Sequence, residues 1–191
     1  MNLSPKFTEA LVYATDVHGG QLRKKTKIPY IGHLLGVTAI AMEYGANETE
    51  AIAALLHDAV EDRGGPQRQC EIEEKFGQAV SEIVAGCTDT DQTPKPPWRE
   101  RKEKYIAHLA SASASTRLVS ASDKLHNAQA ILHNLREEGD ELWTRFKGGK
   151  DGTLWYYRSL VAAFRKHGAS ALIDELDRVV TKIEELAATG S

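Results

Sequence analysis

Cysteine is scarce in this chain: two in 191 residues, Cys70 and Cys87. Two thiols make no disulfide framework, and their spacing fits no zinc or redox motif, so they read as reduced thiols in a cytosol. Long apolar runs are missing too. None approaches the roughly 20 residues that a membrane-spanning helix requires. The first ten residues, MNLSPKFTEA, hold no apolar core of a signal peptide. The expected location is therefore the cytoplasm, with no membrane partner. Neither sign of charge is in excess. Lys and Arg number 24 against 27 Asp and Glu, a net −3, which excludes a general attraction to nucleic acid or acidic lipid and leaves only local basic clusters to weigh. Strand signals are also sparse. There is no sustained apolar–polar alternation, and Asp151-Gly152 lies between helix formers.

What is present is helical periodicity. Apolar residues make up 41% and charged residues 27%, a balance that lets a chain of this length bury a stable core. The reading is one all-α domain over residues 1–191, a bundle of about eight to ten helices. Ser4-Pro5 opens the first helix, which runs to His18 and stops at Gly19-Gly20. A second spans about Tyr30 to Tyr44. A third is capped by Asn47 and continues to about Asp62, before Gly64-Gly65-Pro66. Shorter helices fit 67–76 and 77–88. The proline-bearing loop 89–97, DTDQTPKPP, separates these from helices near 98–112, 115–134, 139–146, 152–166 and 169–187, with a frayed tail at 188–191. The apolar helix 169–187 leaves room for a homodimer.

The stretch AALLHDAVED, residues 53–62, joins an apolar run to one histidine and three carboxylates. On a continuous helix Asp58 lies about 100° round from His57, Glu61 about 40° and Asp62 about 140°, so all four share an arc. Carboxylates crowded in this way repel one another unless a cation or donors compensate. The plain alternative is a solvated helix end. Two further features bear on the choice: His33 begins the preceding helix, and Asp123 sits in an otherwise apolar helix, where an unpartnered aspartate is expensive. His33, His57, Asp58 and Asp123 together make an imidazole–carboxylate set suited to a first-row divalent ion with open positions. Its oxygen share points to Mn²⁺ or Fe²⁺, with Co²⁺ also accommodated, rather than to closed zinc.

The order H…HD…D on successive helices resembles the HD superfamily of metal-dependent phosphohydrolases. The stretches HGGQLRKKTKIPYIGHLLGV, AIAALLHDAVED, FGQAVSEIVAGCTD and SASDKLHNAQAIL resemble, in order and spacing, the hydrolase domain of RelA/SpoT homologues, over about residues 7–165. The resemblance implies a stand-alone small alarmone hydrolase. Such an enzyme uses Mn²⁺ to release the 3′-pyrophosphate of (p)ppGpp, giving GDP or GTP, by attack of metal-activated water. It implies that His33, His57, Asp58 and Asp123 hold the metal and that Glu61 and Asp62 are the catalytic acidic pair. It also implies that Arg23 and Lys24 lie beside the nucleotide and that Asn127 lies near sugar and base. Lys27 adds cationic charge before the His33 helix, and Arg158 offers a guanidinium fork to phosphate. A second basic cluster, Lys95, Arg99, Arg101, Lys102 and Lys104, reads either as phosphate-facing or as a solvated face, and Trp98 as a lid or a helix-start staple.

The chain departs from the family pattern in places. Lys25-Thr26-Lys27-Ile28 is one residue longer than usual and lacks a glycine, Leu34 replaces a common proline, and Ala130 stands where a nucleotide-holding threonine is frequent. These leave open the same chemistry on a ppApp-like adenine alarmone, or 2′/3′-phosphate removal from NADPH. Two other readings are an HD 5′-nucleotidase releasing orthophosphate, and a nucleotide-sensing module without turnover.

Overall fold

A computed structural model describes residues 2–90 and 94–189. Among them there are ten α-helices, one 3₁₀ helix and no strand; the β pairing is a single isolated bridge, Leu22 to Pro29. The all-α expectation holds. Asp91 to Thr93 of the proline loop, and Gly190 and Ser191 of the tail, lie outside the described residues. No described helix is long and apolar enough to cross a membrane.

Contacts gather into two compact units, residues 1–95 with 112–122, and residues 96–111 with 123–191. The first unit holds α1 (Pro5–Val17), α2 (Ile31–Glu43), α3 (Glu48–Leu56), α4 (Ala59–Asp62), α5 (Gly65–Phe76), α6 (Gln78–Cys87) and the start of α8 (Ala114–Glu138). Helix α3 is its centre. Ala51, Ala53, Ala54, Leu55 and Leu56 are fully buried, and the three alanines let α1, α2 and α6 pack closely around it. Its start is a full capping box. Glu50 N donates to Asn47 Oδ1 at 3.0 Å, and Asn47 N donates to Glu50 Oε2 at 2.8 Å. Ser4 caps α1 in the expected way, its Oγ accepting from Lys6 N.

The third helix does not continue to Asp62. It ends at Leu56, and α4 starts afresh at Ala59. His57 keeps helical dihedrals, but Asp58 moves to φ −99°, ψ −3°, the sparsely populated bridge region where many site residues sit. The common arc of His57, Asp58, Glu61 and Asp62 is thereby corrected: the break re-aims the acids.

The second unit holds α7 (Trp98–His108), the rest of α8, the 3₁₀ helix Gly139–Arg145, α9 (Gly149–Arg165) and α10 (Ala171–Thr189). The apolar stripe of α10, including Leu172, Leu176, Val180 and Ile183, is buried, and α9 is the helix packed against it. The stripe that left room for a homodimer is thus covered from within the chain. Trp98, at the start of α7, packs against the start of α9. Its indole lies against Gly148 and Gly152, where a Cβ at Gly148 would come 2.6 Å from the ring, and it meets Trp155 edge-on.

Candidate metal centre

The end of α3 delivers His57 into the interior because the apolar run before it is wholly buried, and α2, packed alongside, delivers His33. Both imidazoles are 2% exposed. His57 Nε2 lies 3.1 Å and His33 Nε2 3.5 Å from Asp58 Oδ2. The three ligand atoms fall within 4.8 Å of one another. His57 Nδ1 is 2.8 Å from the carbonyl oxygen of Ala54. That bond requires the proton on Nδ1, so a neutral ring turns its Nε2 lone pair toward the carboxylate. In that tautomer the His57 Nε2 lone pair and the Asp58 carboxylate repel until a cation lies between them. A backbone-anchored imidazole, a second imidazole and a carboxylate therefore fit a divalent ion.

A shell that the sequence reading missed holds these side chains. The Tyr30 hydroxyl donates to Asp58 Oδ2 at 2.5 Å, and its ring meets His33 edge-on at 5.4 Å. His18, 3% exposed, stacks on the other side of Tyr30 with centroids 5.2 Å apart. Burial pushes the His18 imidazole below its ordinary range, against the pull of Gln21, Asp58 and Asp62. Both residues stand in the quoted stretch HGGQLRKKTKIPY. The available signal was an aromatic placed just before a ligand-bearing helix.

Glu61 and Asp62 face different partners. Glu61 accepts from Lys95 Nζ at 2.8 Å and from the backbone N–H of Asp89 at 3.2 Å. Asp62 Oδ2 accepts from Gln21 Nε2 at 2.8 Å. Of the remaining second-cluster cations, Arg99 pairs with Glu103, Lys104 pairs with Glu100, and Arg101 Nε donates to the Pro96 carbonyl. Arg99 also covers the Trp155 ring. The first basic cluster forms a tight excursion closed by Arg23 N donating to Ile28 O. Lys24 and Lys27 are exposed and Arg23 half-buried. Lys25, where the family pattern carries glycine nearby, takes the left-handed φ of 58°.

In the second unit, Asp123 has found local partners. Lys124 Nζ and Asn127 Nδ2 each lie 2.5 Å from one of its oxygens. Burial works against the Lys124 charge, but Asp123 and the nearby tyrosines hold its pKa well above the usual lysine value. The Arg158 guanidinium is engaged by Asp177, Glu184 and Thr181 of α10, a set that answers its planar donor fork.

The model for the HD domain matches residues 10–154. The chain belongs to the HD family. It is 40% identical over 139 residues to the guanosine-3′,5′-bis(diphosphate) 3′-pyrophosphohydrolase MESH1 of Xenopus tropicalis, covering 71% of this chain and 73% of the relative. It is 30% identical over 132 residues to the bifunctional (p)ppGpp synthase/hydrolase SpoT of Escherichia coli, covering 66% of this chain and 18% of the relative. The chain thus spans most of the frog relative but under a fifth of the bacterial one. Among solved structures, a metazoan SpoT orthologue described as hydrolysing ppGpp matches with a TM-score of 0.78 at 30% identity, over 95% of this chain and 97% of that one. HD-family membership and the His33–His57–Asp58 cluster together imply a divalent metal.

Proposed function

We propose that this HD protein is a Mn²⁺-dependent hydrolase that removes the 3′-pyrophosphate from (p)ppGpp, yielding GDP or GTP. The observation that carries the reading is the His33–His57–Asp58 cluster, with acids at 61 and 62 immediately after it. Relatives carrying the ppGpp 3′-pyrophosphohydrolase name supply the substrate.

His33, His57 and Asp58 would hold the divalent ion, which would supply a lowered water pKa and charge neutralisation at the phosphoryl group. Asp123 as a further ligand rests on the resemblance of SASDKLHNAQAIL alone, and so does Asn127 beside the nucleotide. Tyr30 fixes the Asp58 carboxylate. Glu61, steadied by Lys95 and the Asp89 N–H, and Asp62, steadied by Gln21, orient the attacking water and accept its proton, a role worth roughly 10²–10⁴ in rate. Arg23, Lys24 and Lys27 put positive charge where the purine and its phosphates bind. The whole chain acts as one hydrolase unit in the cytoplasm, without a nucleic-acid or membrane partner.

The test offers the Mn²⁺-loaded protein ppGpp, ppApp, NADPH and a deoxynucleoside monophosphate, with products separated by ion exchange. GDP plus pyrophosphate from ppGpp, lost in Asp58→Ala, is the expected result. Faster turnover of ppApp or NADPH would move the base or phosphate assignment, and orthophosphate from the monophosphate would favour the nucleotidase. Tight nucleotide binding with no turnover would leave a sensing module.

A further inference from the structure

Three charged or titratable groups converge on the side chain of Gln21. Arg63 Nε lies 2.8 Å from Gln21 Oε1. Arginine can only donate, so the atom facing it must be the amide oxygen, and the orientation of the amide is forced. The amide nitrogen then faces Asp62 Oδ2 at 2.8 Å as a donor. His18 Nδ1, 2.9 Å from the same Gln21 oxygen, must carry the ring proton. His18 in turn stacks on Tyr30, and the Tyr30 backbone N–H donates to the Gln21 carbonyl at 2.9 Å. One closed segment, residues 18–30, therefore places a donor on each of two carboxylates: Tyr30 on Asp58 and Gln21 on Asp62.

Asp62 is exposed at the end of a four-residue helix. An exposed aspartate samples several rotamers, and each wrong one removes its oxygen from the water it should serve. We infer that Gln21 is a positioning residue for the hydrolysis, its amide locked by Arg63 and His18 so that it holds the Asp62 carboxylate in one orientation. The inference deepens the proposed function and rests on the reading of Asp62 as a proton acceptor.

The decisive variant is Gln21→Glu. It keeps an oxygen for Arg63 and His18, and so keeps the ties a purely architectural role needs, but it replaces the donor on Asp62 with a carboxylate. With Mn²⁺ and ppGpp, kcat should fall roughly ten- to hundredfold, the range seen when an outer support of a site is lost. KM, Mn²⁺ affinity by calorimetry and the melting temperature should stay near wild type. In an Asp62→Asn background the same change should cost less than about twofold, because the two residues act as one unit. Gln21→Met, which removes both amide atoms, should behave alike in kcat. If Asp62→Asn is severely impaired while Gln21→Glu keeps wild-type kcat, or if Gln21→Glu costs as much in the Asp62→Asn background as alone, this inference falls and the proposed function stands. If Asp62→Asn itself turns over like wild type, the role given to Asp62 falls and takes Gln21 with it.

Discussion

Tyr30 and His18 show how much of a metal site resides in residues that would never touch the ion. The 2.5 Å bond from the Tyr30 hydroxyl to Asp58 Oδ2 leaves that carboxylate one orientation toward His33 and His57. Tyr30→Phe keeps the ring between His18 and His33 and deletes only the donor. Mn²⁺ affinity measured by calorimetry should drop about tenfold or more, with little loss of thermal stability. His18 makes a separate claim. Its folded pKa lies below the unfolded value of about 6.5, so between the two the unfolded chain binds the proton more readily. The stability it contributes is present above that unfolded pKa and is lost as pH falls below it. Melting temperatures at pH 7.5, 6.5 and 5.5 should therefore decline more steeply for wild type than for His18→Phe, which retains the stack on Tyr30.

At the scale of elements, the breaks matter more than the helices. Gly77 joins α5 to α6 at φ 92°, ψ 163°, a region that side-chain-bearing residues avoid. Gly77→Ala should cost about 1–3 kcal/mol in urea unfolding. Gly86 lets α6 approach the start of α8, for an added Cβ would lie 2.6 Å from Thr116 Cγ2. Gly86→Ala should cost about 1–3 kcal/mol by overpacking, and Thr116→Ser, which removes the opposing methyl, should recover part of it. These contacts also show what the sequence could and could not tell. The Asn47 cap, the Pro5 start and the run of helices were legible because capping and 3.6-residue periodicity are local. The stop of α3 at Leu56 was not, because AALLHDAVED carries no glycine or proline and the break depends on where the buried His57 and half-buried Asp58 must go. His33, His57 and Asp58 were legible as ligand types at telling positions. The pairing of Arg158 with Asp177 and Glu184 was not legible, because these acids sit 19 and 26 residues away on α10, a distance over which sequence pattern carries no pairing information.

For the whole molecule, a bound ion and folding are linked. The first unit buries two imidazoles beside a carboxylate, and a cation that binds this arrangement but not the unfolded chain stabilises the folded state by mass action. At a free Mn²⁺ concentration about 100 times the dissociation constant the gain is about 2.7 kcal/mol. For a chain of this length that is a rise of roughly 5–10 °C in melting temperature. Chelation with EDTA should reverse the rise, and added Mn²⁺ should restore it. Asp58→Ala should abolish the Mn²⁺-dependent increment, since it removes the carboxylate that both histidines face. Without metal, the same variant should melt no lower than wild type, because it also removes lone-pair repulsion from a buried cluster. The difference between the two conditions is what identifies a metal centre. A structural carboxylate would lower the melting temperature equally with EDTA and with Mn²⁺, whereas a ligand lowers it only when the ion is there to be lost.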